Sequence, residues 1–143
     1  MEATLAMSML TTIGLILLKL SLNVTVPRQW TLQQAITDSY LTGEKAFAQR
    51  ESFETITGPA SPWPADPPAT TTVTFGKLPG GTAITGTVTR LRIPDPNNRS
   101  DKGGTGTEVT NPTAMEVWRL QSVVRYRVGS RSYMKSRTVV RSQ

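Results

Sequence analysis

The chain has 143 residues, 16 Lys and Arg against 10 Asp and Glu, and neither Cys nor His. Without Cys there are no disulfides, no thiolate catalysis and no Cys-ligated metals, and without His the commonest general base and metal ligand are missing. Most routes to an active site are closed, and the chain is expected to be no enzyme and to carry no cofactor.

The first element is residues 3–26, ATLAMSMLTTIGLILLKLSLNVTV, whose only charge is Lys19, with Glu2 immediately in front. As a helix it spans about 36 Å, enough for a hydrocarbon core of about 30 Å. A secretory signal would open with Lys or Arg and close on a small-x-small site. Here the opening is Met1-Glu2 and the exit toward Pro27 offers no such site, so residues 1–26 are expected to be retained as an anchor. A carboxylate carried deep into lipid costs on the order of 3 kcal/mol, so Glu2 needs a partner.

Residues 27–143 form the predicted soluble body. Pro27 either kinks a continuing helix or starts a new one. In 28–53, Leu32, Ile36, Tyr40, Gly43 and Phe47 fall on one side at helical spacing, with Gln33, Thr37, Glu44, Gln49 and Glu51 opposite. That pattern predicts an amphipathic half-helix with an apolar stripe and a solvated face. Residues 57–68, TGPASPWPADPP, read as a turn-and-polyproline connector with Trp63 in a satellite cluster.

The period then changes to two. Residues 70–75 and 82–93 read as antiparallel strands around the Lys77-Leu78-Pro79-Gly80-Gly81 turn, and 114–128 and 133–141 as a second pair around Gly129-Ser130. Between the pairs, 94–112 is a long polar loop. The predicted class is α+β: a long N-terminal helix packed on a four-stranded antiparallel meander over 70–141.

This organisation resembles the type IV pilins and the type II secretion pseudopilins. The resemblance rests on Glu2 ahead of a Thr/Ala/Met/Leu/Ile-rich helix, a proline where the apolar half gives way to the amphipathic half, and an antiparallel sheet behind it. It implies cleavage by a prepilin peptidase, N-methylation of the new terminus, and assembly through the apolar helix, with Glu2 as the matching assembly glutamate. Gly14 matches a helix-loosening glycine, and Pro27 approximately matches the kinking proline. The chain departs from the family in having only Met1 before Glu2 and in carrying Lys19 within the anchor. Glu2 of another subunit is one candidate partner for Lys19.

The expected function is a structural subunit of a pilin-like filament of identical chains, held in the inner membrane before assembly and at the cell surface afterwards. The resemblance makes the prepilin peptidase and the pilus assembly machinery its partners. The runner-up is a pseudopilin, and the third reading a membrane-tethered module binding DNA or another anion. That third reading draws on the C-terminal bases. Arg119, Arg125 and Arg127 share parity in one strand and Lys135, Arg137 and Arg141 in the next, which suggests one basic sheet face. In the polar loop, Asp95, Asn97, Asp101 and Glu108 are oxygen donors, but Arg99 interrupts the spacing a calcium loop requires, so no metal is expected. Asn98-Arg99-Ser100 fits an N-glycosylation pattern.

Overall fold

A computed structural model describes residues 2–143, apart from the side chains of Glu2 and of residues 22–26. Helix α1 runs from Glu2 to Arg50 as 49 continuous residues with Pro27 inside it, about 74 Å at ~1.5 Å per residue. It ends three residues before the predicted boundary. Ser52 then caps a separate turn, α2 (Phe53–Thr57), by accepting a hydrogen bond from the Thr55 amide.

Strands β1 (Ala69–Lys77), β2 (Ala83–Pro94), β3 (Val117–Val128) and β4 (Arg131–Ser142) follow. They pair in the order β1-β2-β3-β4, all antiparallel. The meander and the α+β class are as the sequence predicts. Gly80, Gly81 and Gly129 take positive φ in the two hairpin turns, a conformation that costs glycine nothing.

One face of the sheet packs under the second half of α1, and the other is uncovered. The covered face holds two core clusters. Leu41, Val88, Val124 and Tyr126 form one, with Tyr40 and Phe75 edge-to-face beside them. Ala48, Ile56, Trp63, Leu120 and Val139 form the other. Trp63 therefore belongs to the main core, fully buried, and not to a satellite cluster. Its ring lies against Phe47 and its Nε1 donates to Ser122 Oγ at 3.1 Å.

The helix face turned to the sheet overlaps the predicted stripe, whose Tyr40 and Phe47 pack against the two clusters, but its centre lies elsewhere. Thr37, Leu41, Glu44 and Ala48 are the buried positions, at steps of four, three and four, whereas Leu32 and Gly43 are exposed. Thr37 satisfies its hydroxyl within the helix, on the carbonyls of Gln33 and Gln34, and Glu44 finds its partners on the sheet. Two polar side chains can thus occupy the inner face.

Gly86 is the tightest approach in the sheet. A Cβ there would stand 2.2 Å from the Arg125 carbonyl oxygen and 2.6 Å from the Phe75 ring. Gly86→Ala should lower stability by about 1–3 kcal/mol through forced backbone displacement, read as a shift of the urea midpoint with unchanged slope. An unshifted midpoint would show that the β2–β3 pair has room to give.

Candidate assembly surfaces

The first surface is the free half of α1. Within the span Ala3–Ser21 no residue is buried, and the ten large apolar side chains from Leu5 to Leu20 are all at least half exposed. Its polar side chains make few demands on solvent: Ser8 bonds the Leu5 carbonyl, Thr11 the Met7 carbonyl and Thr12 the Ser8 carbonyl, at 2.7–2.9 Å. Such back-bonded hydroxyls sit comfortably among apolar groups. A Cβ on Gly14 would meet nothing within 4 Å, so the glycine leaves a smooth notch in an otherwise bulky surface. Lys19 has no ion-pair partner among the described residues. Met1 and the Glu2 side chain lie outside the described residues.

The second feature is the polar seam that fixes the head on α1. Glu44 stands between the two core clusters, and its carboxylate receives Arg90 Nε at 2.7 Å and Nη2 at 2.5 Å, with the Ser122 hydroxyl at 3.0 Å. Burial alone would raise the Glu44 pKa, but the Arg90 guanidinium and the Ser122 and Tyr40 hydroxyls together hold it below the ordinary carboxylate value. Burial raises Tyr40, and the adjacent Glu44 charge adds to it. The Arg90 guanidinium lies 5.9 Å from the Phe47 ring centroid and 5.7 Å from that of Trp63. The polar seam is thus enclosed by aromatic faces.

The C-terminal bases do not form one surface. The register sets Arg119 opposite Val140, Arg125 opposite Met134 and Arg127 opposite Ser132, whereas Val124 faces Lys135 and Ser122 faces Arg137. Opposed residues share a face, so Arg119, Arg125 and Arg127 lie on the uncovered side and Lys135, Arg137 and Arg141 on the helix side. Lys135 pairs with Asp38 at 3.0 Å. Arg141 Nη1 donates to the carbonyls of Ala48 and Gln49 at 2.6 and 2.7 Å, at the helix end where carbonyls lack intrahelical partners. Both therefore clamp the helix. Arg119 lies 3.8 Å from Asp95. Comparison with protein-family models, curated proteins and solved structures found no match.

The loop after β2 is more ordered than its composition suggests. Asn98 is buried, accepting from the Val117 amide and donating to the Val117 carbonyl at 2.9 and 2.8 Å. Asn111 in turn bridges the Asn97 and Met115 backbones. Asn98 is thus a structural cross-brace, and its engaged amide argues against the glycosylation pattern read from the sequence. Of the candidate metal ligands, Asp95 Oδ1 caps the Asn97 amide, Glu108 lies 3.9 Å from Arg99, and Asp101 is exposed. Among the described residues no three acidic side chains are grouped to hold a metal.

Sequence reasoning missed Glu44, Asn98 and Asn111. Glu44 carried one usable signal, an acid spaced three and four residues from Leu41 and Ala48. The asparagines carried only a weak one, standing among the glycines and prolines of a loop.

Proposed function

We propose that this chain is a structural subunit of a type IV pilin-like filament, anchored in a membrane before assembly and polymerising through the free half of α1. The observation that carries the reading is the continuity of α1: one helix holds the head by its second half and presents a bare apolar rod with its first. In water, burying ten large side chains at ~1.5–3 kcal/mol each gives a strong drive to bundle. From lipid that drive nearly vanishes, since acyl chains are as apolar as neighbouring helices. Close packing and polar pairing then decide assembly. Gly14 offers close approach, and a Glu2–Lys19 pair between subunits would fix the stagger, because an unpaired charge in an apolar bundle is costly. Identical chains joined head to tail without ring closure make an open helical polymer.

Substituting Ile13→Asp or Leu17→Asp places a carboxylate in that rod at a cost of about 3 kcal/mol. Each variant should keep the circular dichroism and melting of the wild-type head while losing fibres in electron micrographs. Intact mass of the native protein should show a processed, methylated terminus in the same fibres. Normal fibres from both variants would overturn the reading, and a detergent-soluble monomer with an unprocessed terminus would make α1 a simple tether.

A further inference from the structure

The end of the sheet away from the β2–β3 loop is forked. Pairing between β2 and β3 begins only at Gly86 opposite Tyr126. The β1–β2 hairpin nevertheless continues to Lys77 opposite Ala83, and the β3–β4 hairpin to Val128 opposite Arg131. Between the two hairpin ends lies a cleft of about 810 Å³, lined by Leu78, Thr85, Arg125, Arg127, Tyr133 and Met134 among others. Arg125 and Arg127 are exposed and have no carboxylate partner among the described residues. At the cleft's helix side the Gln33 Oε1 is buried and accepts no hydrogen bond from the described residues. The cleft is therefore basic and partly apolar.

The opposite end of the same sheet carries an exposed acid beside an exposed apolar side chain. The loop joining β2 to β3 projects Glu108, 87% exposed, and Val109, 91% exposed, the most exposed of the described large apolar side chains. This tip is held rigidly: the Thr107 amide bonds Thr110 Oγ1 at 2.8 Å and the Asn111 amide bonds the Thr107 carbonyl at 2.8 Å, while buried Asn111 ties it to the loop's base. An ordered turn that presents an acid and a valine to solvent is preorganised for contact. Its only ion-pair contact among the described residues is Arg99, at 3.9 Å.

The two features cannot meet within one chain. Nine residues of β2 paired with β3 separate them, about 30 Å at ~3.3 Å per residue. They can meet between chains. Helix α1 passes Tyr126, bonded to Gln34, at the cleft end and reaches Arg141 at the loop end. The bare rod thus leaves the head on the cleft side. Heads stacked on a bundle of such rods place the loop end of one against the cleft end of the next.

The geometry points to a head-to-tail contact in which the Glu108–Val109 tip of one chain seats in the hairpin cleft of the next, its carboxylate on Arg125 and Arg127. Two side chains bury far less than the roughly 1,200 Å² of a stable complex. The contact rests on the filament reading for its strength, and acts as an index for rotation and rise between chains that the rods already hold together.

The chain has no cysteine, which makes cross-linking specific. Chains bearing Val109→Cys and chains bearing Met134→Cys, differently tagged and coexpressed at full length, should give a heterodimer with a short bismaleimide in assembled material. Either chain alone should give none. Glu108→Arg should cut the yield about fivefold at low salt, and Arg125→Glu with Arg127→Glu in the other chain should restore it. Fibres without a heterodimer, or a heterodimer indifferent to both charge reversals, overturn the contact and leave the filament standing. Neither fibres nor a heterodimer removes both. A heterodimer without fibres that is lost on the charge reversals keeps the contact, between chains whose rods associate without polymerising, and removes the filament.

Discussion

Glu44→Ala should destabilise the head by about 3 kcal/mol, and most of that loss comes from what is left behind. Arg90, with its side chain only a quarter exposed, would keep its charge between Phe47 and Trp63 with no carboxylate to answer it. Removing one member of a buried pair costs about 3–5 kcal/mol, whereas replacing both by apolar side chains is often close to neutral. The partial exposure of Arg90 puts the expectation at the lower end of that range. Glu44→Leu combined with Arg90→Leu should therefore recover much of the loss, and denaturant titration of all three chains is the check. Equal losses in the single and double variants would mean that shape, not charge, makes the seam.

The same carboxylate gives the head a pH dependence of known sign. Its folded pKa lies below the ordinary value of 4.5, so on acidification the unfolded chain takes up the proton first. Glu44's contribution is complete above the unfolded value and is lost as pH falls from there through the folded value. Wild type and Glu44→Gln should differ by less at pH 3 than at pH 7, and a constant difference would contradict the assignment.

Trp63→Ala should cost about 3–5 kcal/mol, the range for deleting a large buried aromatic. That is a large share of the roughly 5–15 kcal/mol that holds a domain of this size. Trp63 fills the centre of one core cluster and also ends the hydrogen-bonded run from Arg90 through Glu44 and Ser122. It fastens the connector between α2 and β1 as well, together with the bond from the Arg92 amide to the Pro64 carbonyl. The variant should lose thermal stability and become sensitive to proteolysis within residues 58–68. Retention of both properties would show that the connector is held by its prolines alone.

The strands and turns were legible because their causes are local. Runs of Thr, Val and Ile alternate at period two, and glycines stand where φ must be positive. The buried side of α1 was not legible, because what makes Thr37 and Glu44 tolerable there lies elsewhere in sequence: Arg90 is 46 residues and Ser122 78 residues from Glu44. The split of the basic residues was, by contrast, within reach. A two-residue turn at Gly129-Ser130 sets Val128 opposite Arg131, so odd positions on β3 share a face with even positions on β4. Counting through the turn would have separated Arg125 from Lys135. The order in the polar loop depends on Asn98 and Asn111 reaching backbone groups up to 19 residues away, which no short-range pattern encodes.

The clamp of Arg141 on the Ala48 carbonyl joins residues 93 apart in the chain. At about 5–20 residues per second, translation takes roughly 5–20 s to supply the clamp once the helix end has been made. During that interval the apolar rod emerges from the ribosome, while the sheet that will hold its other half is still incomplete. On the filament reading, delivery of the rod to a membrane therefore precedes closure of the head. The 19-residue apolar span Ala3–Ser21 therefore needs cover earlier than the unfinished core does.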